Sequence, residues 1–174
     1  MSFSLIPAYS FRVITDISPD FLLRAGIRHL MLDLDNTIAA YDEDSPSDDI
    51  LCWVNNMKTN GISLMIVSNS SHVIRVAVFA EAFDIGSIIR AAKPSPASIL
   101  HYIDDTGFSA RESALVGDQI FTDTLAANRA GVYSIIVKPR KFTNPLLALR
   151  YIIELPFRLL ARTKASGHKT GSCV

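Results

Sequence analysis

Asp33 and Asp35 stand two positions apart at the end of an apolar run. Side chains alternate along a strand, so the two carboxylates point the same way if the strand continues and can converge on one ligand if it ends. Two carboxylates buried together are costly without a cation, and Mg²⁺, which prefers oxygen ligands, is the obvious candidate. The simpler alternative is that these polar residues only close the strand in a turn.

Three later apolar runs are also followed by polar residues, and this repetition favours a functional site. The later signals are Ser68 with Asn69, Lys93 with Pro94, and Gly117 with Asp118 and Asp123. In an open parallel sheet, ligands bind beyond the carboxyl ends of the strands. We therefore expect all four signals to meet in one crevice.

Five short apolar runs rich in β-branched residues predict the strands that carry these signals. They cover residues 29–34, 62–67, 86–89, 113–116 and 132–137. Helical spacing of apolar residues predicts the connections, over residues 48–60, 72–83, 96–106 and 122–130. Runs that are apolar throughout are typical of a sheet covered on both faces. The alternation of strands and helices predicts a parallel, doubly wound α/β domain.

Taken in order, the four signals resemble the motifs of the haloacid dehalogenase-like (HAD) superfamily of phosphohydrolases. The resemblance covers about residues 5–140. Within the superfamily, the sequence is similar to the YqeG-type subfamily IIIA phosphatases. The resemblance implies a Rossmann-like three-layer sandwich with a five-stranded, mainly parallel sheet. A large cap domain is not expected, because only 30 residues separate Thr37 from Ser68 and only 24 separate Ser68 from Lys93.

The resemblance implies catalytic roles in the hydrolysis of a phosphate monoester. Asp33 would be the nucleophile that forms an aspartyl-phosphate, and Asp35 would protonate the leaving alkoxide and then activate water. Lys93 would counter the charge of the phosphate and of Asp33. Mg²⁺ would bind the carboxylates of Asp33 and Asp118 and the main-chain carbonyl of Asp35. The simpler alternatives are metal ligation alone for Asp33, a strand-end turn for Asp35 and a solvated side chain for Lys93.

Four further residues would support this chemistry. The Ser68 hydroxyl and the main-chain N–H of Asn69 would hold the phosphoryl oxygens with Lys93, although Ser and Asn are also ordinary helix caps. Asp123 would orient metal-bound water or Lys93, unless it is only an acid at a helix N-terminus. The Thr37 hydroxyl would orient the loop of the first motif or cap the turn that follows.

The composition is typical of one ordered globular domain. Of the 174 residues, 49% are hydrophobic and 20% are charged. The apolar runs are too short for a membrane span, and no secretory signal is evident over residues 1–14. Cys52 and Cys173 are the only cysteines, which argues against a disulfide framework and favours a reducing compartment. We therefore expect a cytoplasmic protein.

Positive charge is concentrated late in the chain. Residues 1–137 contain 9 Lys and Arg against 16 Asp and Glu, whereas residues 138–174 contain 8 against 1. Such asymmetry is typical of a solvated basic tail or of a surface that binds an anionic partner. The expected divisions are an N-terminal lead-in over 1–28 with a short helix near 19–25, a catalytic core over 29–140, a basic amphipathic helix over 141–162 and a flexible tail over 163–174.

The C-terminal helix, expected over residues 144–162, combines a charged stripe with a broad apolar face. The stripe consists of Arg150, Glu154, Arg158 and Arg162 at i, i+4 spacing. Pro156 is expected to kink or divide the helix. A basic stripe beside an apolar face is typical of a helix at a membrane surface, and packing on the sheet domain or on a partner is the alternative.

The absence of a cap favours a bulky substrate, such as a phospholipid headgroup, a phosphoprotein or a nucleic-acid end. YqeG-type proteins are similar to the mitochondrial phosphatidylglycerophosphate phosphatase, so a membrane lipid phosphate is the first expectation. No specific nucleic-acid partner is indicated. The rival hypothesis is a HAD-fold binding or assembly factor with little or no turnover, and the intact set of Asp33, Asp35, Lys93 and Asp118 favours the phosphatase.

Overall fold

The computed structural model describes residues 3–143 and 145–161, and the backbone of residues 163–164. Its strands, in chain order, are β1 (Tyr9–Ser10), β2 (His29–Leu32), β3 (Ser63–Val67), β4 (Gly86–Ile88), β5 (Ser113–Gly117), β6 (Tyr133–Ile136) and β7 (Thr163–Lys164). Within the described residues they form one sheet in the order β4-β3-β2-β5-β6-β1-β7, and every neighbouring pair is parallel. The predicted parallel α/β fold is confirmed, and the two short strands β1 and β7 extend the five predicted strands at one edge.

Six α-helices connect the strands in the described part of the chain. They are α1 (Pro19–Arg24), α2 (Asp48–Thr59), α3 (Val73–Phe83), α4 (Ala97–Thr106), α5 (Leu125–Ala130) and α6 (Pro145–Leu159). The helix predicted over 122–130 is split, because a π-helical turn over Ile120–Thr124 precedes α5. Helix α6 is continuous through Pro156. Pro156 lies in the last turn, where the missing N–H removes only one intrahelical hydrogen bond.

Local sequence explains where several of these helices begin and end. Ser18 caps α1 by accepting a hydrogen bond from the Phe21 N–H at 3.1 Å, and Pro19 occupies the first helical position. Helices α4 and α5 end at Gly107 and Gly131, which have φ angles of 73° and 78°. This left-handed conformation is easiest for glycine and terminates both helices before the next strand.

The sheet lies between two apolar layers, as expected for a three-layer sandwich. Along β2, Leu30 and Leu32 face one core cluster, whereas Met31 faces the other. The first cluster contains buried residues of α1, α2 and α3, and the second contains residues of α4 and α5. Strands β3 and β4 lie on one side of β2, and β5 and β6 lie on the other. The strand order therefore reverses between β2 and β5, which is where an open α/β sheet forms its crevice.

The two ends of the chain differ from the simplest expectation. The lead-in contains the predicted helix as α1, but it also supplies β1 to the sheet. Residues 163–164 of the predicted tail pair with β1, whereas Arg162 and residues 165–174 lie outside the described residues. None of the helices in the described ranges is both long and apolar enough to cross a membrane.

Candidate active site

Asp33 continues the hydrogen-bonding pattern of β2 and presents its carboxylate at the crevice. Its main-chain N–H donates to the Val116 carbonyl at 2.9 Å, which fixes its backbone beside β5. Its side-chain Oδ2 accepts a hydrogen bond from the Thr37 hydroxyl at 3.1 Å. The Thr37 hydroxyl therefore contacts the Asp33 carboxylate itself, whereas the predicted roles were to orient the loop of the first motif or to cap the next turn.

Lys93 is the buried cation of this crevice. Its Nζ donates to Asp33 Oδ1 at 2.7 Å and to the Val67 carbonyl at 2.8 Å, and it also lies 2.7 Å from Asp123 Oδ1. The Asn69 side chain holds the Lys93 backbone by accepting from its N–H and donating to its carbonyl, both at 2.8 Å. Lys93 is thus fixed at both its main chain and its ammonium group, unlike a solvated surface lysine.

Asp118 and Asp123 follow β5 and approach Asp33 from the other side of the crevice. Asp123 Oδ2 accepts from the Gln119 N–H at 3.1 Å, within the π-helical turn. Gly117 makes room for this arrangement, because a Cβ at that position would lie 2.3 Å from Asp123 Cγ. Any side chain at position 117 would therefore clash with Asp123, which explains why this position is a glycine.

Asp33, Asp118 and Asp123 form a buried acidic triad whose ligand oxygens all lie within 4.8 Å of one another. Asp118 Oδ1 is buried and has no hydrogen-bond partner in the described part of the protein. Oxygen donors are the ligands that Mg²⁺ and Ca²⁺ prefer. Together with the unpartnered oxygen, the triad fits a hard divalent cation.

Burial and mutual repulsion perturb the ionisable groups of the triad. Burial raises the pKa of Asp33, the Lys93 ammonium opposes this, and the Asp123 charge adds to the rise. Burial also raises the pKa of Asp118 well above its ordinary value, and Asp123 and Asp33 add to the effect. Burial alone would lower the pKa of Lys93, but the two carboxylates beside it raise that pKa. The cluster therefore stabilises a positive charge strongly.

A second set of cations comes from α6 and balances Asp118. Arg150 Nη2 donates to Asp118 Oδ2 at 3.1 Å, and Arg158 donates to the Asp118 main-chain carbonyl and to the Val137 carbonyl. Glu154 lies between the two arginines, accepting from Arg158 at 2.9 Å and from the Ile120 N–H at 3.0 Å. Arg150, Glu154 and Arg158 of the charged stripe therefore pack on the sheet domain, which is one of the predicted alternatives.

The cluster around Asp118 and Lys93 contains more carboxyl groups than cationic groups. Its four carboxylates are those of Asp33, Asp118, Asp123 and Glu154. Its three cations are Lys93, Arg150 and Arg158. The imbalance favours a bound cation, because an uncompensated buried charge is costly.

Asp35 lies apart from the triad and is paired with an arginine that sequence reasoning did not single out. Arg75 Nη1 lies 2.5 Å from Asp35 Oδ1. Arg75 is the only charged residue in the first two turns of α3, and this lone charge in an apolar helix is the signal that could have identified it. Asp35 and Arg75 both line a cavity of about 500 Å³.

The remaining predicted residues lie in or directly beneath this cavity. Asp33, Asn69, Lys93 and Asp123 also line it. Ser68, Thr37 and Asp118 lie beneath its surface and are almost fully buried. The Ser68 hydroxyl accepts from the Ser70 N–H at 3.0 Å, and α3 begins only at Val73, so Ser68 is not the cap of that helix.

Asn36 is a second residue that sequence reasoning missed. It has a left-handed φ angle of 64° and is fully buried. Its side chain donates to the Lys141 carbonyl at 2.8 Å and accepts from the Lys141 N–H at 2.9 Å. Asn36 thereby ties the loop of the first motif to the segment that leads into α6. The signal for it is weak, because asparagine is common in turns.

Comparison with known proteins agrees with this geometry. Residues 10–131 match the family of haloacid dehalogenase-like hydrolases. The probable phosphatase YqeG of Bacillus subtilis strain 168 is 29% identical over 163 residues, which cover 94% of each chain. An uncharacterized protein from Listeria monocytogenes serotype 4b has a similar structure, with a TM-score of 0.53 and 17% identity, covering 76% of this chain and 99% of that one.

The cobalt-bound deoxy-D-mannose-octulosonate 8-phosphate phosphatase of Haemophilus influenzae gives a TM-score of 0.50 at 13% identity. The similarity covers 77% of this chain and 90% of that one. At such low identity, the two solved structures support the fold alone. Helix α6 begins after the last residue of the family match, so the arginines that balance Asp118 come from outside the matched region.

Proposed function

The chain belongs to the haloacid dehalogenase-like hydrolases, and on that premise we propose that it is a magnesium-dependent phosphatase. It would hydrolyse a phosphate monoester through an aspartyl-phosphate formed on Asp33. The observation that carries this proposal is the buried cluster in which the Lys93 ammonium lies 2.7 Å from the Asp33 and Asp123 carboxylates and Asp118 completes an acidic triad. The relative named as a probable phosphatase supports the same activity.

The proposed reaction has two steps that share Asp35 as proton carrier. In the first, an Asp33 carboxylate oxygen attacks phosphorus, the bond to the ester oxygen breaks, and that oxygen takes the electron pair and a proton from Asp35. In the second, water attacks phosphorus and gives a proton to Asp35. The bond between phosphorus and Asp33 then breaks, which releases phosphate and restores the Asp33 carboxylate.

The metal would be held by the carboxylates of Asp33 and Asp118 with the main-chain carbonyl of Asp35, while Asp123 would position Lys93. When bound, Mg²⁺ supplies positive charge beside the phosphoryl oxygens. The contact between Asp123 and the Lys93 ammonium supports this division of roles. The unpartnered Asp118 Oδ1, buried among the described residues, supports Asp118 as a ligand.

Three residues would bind the phosphoryl group. Lys93 would neutralise its charge, and the main-chain N–H of Asn69 would donate to one of its oxygens. The Ser68 hydroxyl, which accepts from Ser70, still has its own hydrogen to donate. Asn69 would act in addition through its side chain, because that side chain fixes the Lys93 backbone.

Hydrolysis of p-nitrophenyl phosphate tests the activity directly. We expect turnover that requires Mg²⁺, stops with EDTA and is abolished by Asp33→Asn. Asp20→Asn is the matched control, because it changes an exposed aspartate that does not line the cavity. Phosphate-ester binding without turnover in the wild type would instead favour the binding or assembly factor.

We further propose that the substrate is a phosphate ester at a lipid surface, such as phosphatidylglycerophosphate, and that α6 contacts the membrane. The support is an apolar outer face, formed by Phe142, Leu146, Leu149, Ile152, Ile153, Leu159 and Leu160. These side chains are between 50% and 72% exposed, whereas Glu154 and Arg158 of the same helix are 0% and 7% exposed. An exposed apolar patch of this kind is typical of an interaction surface.

The charge of the C-terminal region favours an anionic lipid surface as the occupant of the apolar outer face. Residues 138–174 contain eight basic residues and one acid, Glu154. Arg158 is buried with Glu154, and Arg150 is paired with Asp118, which leaves six basic residues. Three of these six, Arg162, Lys164 and Lys169, lie within residues 162–174, which contain no acid. An apolar helical face flanked by basic residues binds anionic membranes. Two copies meeting through the same faces would instead bring these like charges together.

Co-sedimentation with phosphatidylglycerol and phosphatidylcholine vesicles tests this contact. We expect binding to the anionic vesicles, weakening with salt. Replacing Ile152 and Ile153 with Gln should weaken it at least about 10-fold, since each isoleucine loses apolar burial. The matched control replaces Val73 and Ile74, an adjacent exposed pair on α3. Equal binding to both vesicle types, or dimerisation through the isoleucine pair, would contradict the lipid contact.

A further inference from the structure

Arg75 makes several contacts in addition to its ion pair with Asp35. Its Nη1 pairs with Asp35 Oδ1, its Nε donates to the Glu43 carbonyl at 2.9 Å and its Nη2 donates to the Ala40 carbonyl at 2.8 Å. The guanidinium also lies over the Phe79 ring, 5.4 Å from its centroid. Each of the three guanidinium nitrogens donates to a different acceptor, so the position of the group relative to Asp35 is defined.

We infer that Arg75 is a positioning residue that fixes Asp35 for proton transfer to the leaving group. This inference rests on the proposed phosphatase function. Arg75 projects from α3, whereas Asp35 belongs to the loop after β2, so the pair connects two elements that border the same cavity. The contact engages Asp35 Oδ1, and within the described residues Oδ2 is the oxygen available to carry the transferred proton.

The loop that Arg75 holds is itself closed by Glu43. The Ala40 N–H donates to Glu43 Oε2 at 2.7 Å, and Arg140 Nε lies 3.5 Å from the same oxygen. Without Arg75, the loop would lose two carbonyl contacts and Asp35 would lose its partner together. The Asp35 carboxylate would then sample several rotamers, and only some of them would reach a leaving oxygen.

Lysine cannot reproduce this arrangement. A guanidinium offers five N–H donors in a rigid plane, whereas an ammonium is a compact point charge on a flexible stem. Arg75→Lys therefore keeps the positive charge near Asp35 but loses the simultaneous contacts with Ala40 and Glu43. If the role of Arg75 were only its charge, the lysine variant would retain the wild-type behaviour.

The leaving group distinguishes positioning of Asp35 from general support of the fold. A p-nitrophenolate leaves readily without a proton, whereas an alkoxide needs one from a general acid. Misplacing the acid should therefore slow the hydrolysis of alkyl phosphates much more than that of p-nitrophenyl phosphate. Because displacement of a reacting group by about 1 Å can cost about 10²-fold, we expect a difference of that order.

The experiment compares kcat/KM for p-nitrophenyl phosphate, phenyl phosphate and an alkyl phosphate in a set of variants. We expect Arg75→Gln and Arg75→Lys to follow Asp35→Asn, with losses that increase from the nitrophenyl to the alkyl ester. Arg24→Gln is the matched control, since it removes an exposed arginine paired with Asp20, and it should behave like the wild type. Melting temperatures establish that each variant folds, and Arg75→Lys carries the test if Arg75→Gln does not.

Equal losses on all three esters in the Arg75 variants, while Asp35→Asn discriminates among them, would overturn the inference and leave the phosphatase function intact. Wild-type behaviour of Arg75→Lys on every ester would also overturn it, because charge alone would then suffice. Absence of turnover by the wild type on all three esters would instead remove the proposed function, and the positioning role with it.

Discussion

The two sides of the cavity neutralise their buried carboxylates in different ways. Asp33 is balanced by Lys93, which comes from the loop after β4 and lies within the family match. Asp118 is balanced by Arg150 and Arg158, which project from α6 beyond that match. One side is therefore built by the sheet, and the other requires an additional helix.

This difference explains the unusual orientation of α6. An amphipathic helix ordinarily buries its apolar face, as α2 does with Ile50, Trp53 and Met57. Helix α6 instead buries Glu154 and Arg158, because Asp118 and the Ile120 N–H need partners. Five of its apolar residues are consequently left exposed, namely Leu146, Leu149, Ile152, Ile153 and Leu159. The burial of Glu154 and Arg158 against the sheet domain therefore both balances the charge of the site and leaves an apolar surface exposed.

The largest effect is expected from breaking the buried ion pair of α6. Glu154→Gln should lower the free energy of unfolding by about 3–5 kcal/mol, because it leaves Arg158 buried without its charged partner. Asp20→Asn is the matched control: Asp20 and Arg24 are also an i, i+4 pair, but an exposed one worth at most about 1 kcal/mol. Urea unfolding measures both. Equal effects would mean that the α6 pair is not structural.

Of the cations on the two sides of the cavity, Lys93 should contribute most to activity. Lys93→Met removes the ammonium group between Asp33 and Asp123, and we expect kcat to fall about 10²- to 10³-fold, as for loss of one electrostatic stabiliser. Steady-state kinetics with saturating Mg²⁺ measures the loss. Retention of wild-type kcat would exclude Lys93 from the reaction.

The two sides of the cavity also differ in how well the sequence predicts them. The strands β2 to β6 and the meeting of Asp33, Lys93 and Asp118 at one sheet edge follow from short apolar runs and the rule for parallel sheets. The buried face of α6 does not follow. Its stripe and its apolar face are both visible in the sequence, but which one is buried depends on unpaired groups contributed by Asp118 and Ile120.

The partner of Asp35 was equally hard to predict. Arg75 stands out as a lone charge in the apolar first half of α3, but an arginine on a helix is ordinarily solvated. Nothing in its spacing indicates that it reaches the loop over residues 40–43. The contact of Thr37 was partly predictable. Its proximity to Asp33 predicts a local contact, but only the structure distinguishes a bond to the carboxylate from a turn cap.

The contact between α6 and Asp118 can be weakened without breaking the ion pair between Glu154 and Arg158. Arg150→Met removes the contact to Asp118 Oδ2 and leaves Glu154 and Arg158 in place. Because residues behind a metal ligand typically contribute 10- to 100-fold, we expect a loss of about that size in activity at limiting Mg²⁺. Titration of activity with Mg²⁺ measures it. If the variant instead reached half-maximal activity at a lower Mg²⁺ concentration than the wild type, Arg150 would compete with the ion rather than orient Asp118.

His29, at the opposite end of β2, provides a buried polar group with no ionic partner in the described residues. Burial lowers its pKa to about 4, and its ring stacks on Phe108. The unfolded chain therefore binds a proton that the folded protein does not, so stability falls as the pH drops below the ordinary histidine value toward 4. We expect about 2 kcal/mol of this loss between about pH 7 and pH 5.

His29→Gln should flatten that dependence. Unfolding free energies of the wild type and of the variant at several pH values measure the difference, and Asp33→Asn serves as the comparison from the cavity end of the same strand. A dependence that is unchanged in His29→Gln would mean that the cavity carboxylates, not His29, control stability in this range.

The most direct test of the central claim is chemical trapping of the covalent intermediate. Asp35→Asn should slow the second step, so the aspartyl-phosphate accumulates when this variant is mixed with p-nitrophenyl phosphate and Mg²⁺. Borohydride reduces an acyl phosphate to the alcohol, and peptide mass spectrometry should then find homoserine at position 33 only in the presence of substrate. Hydrolysis that persists in Asp33→Asn, with no homoserine at position 33, would contradict the account.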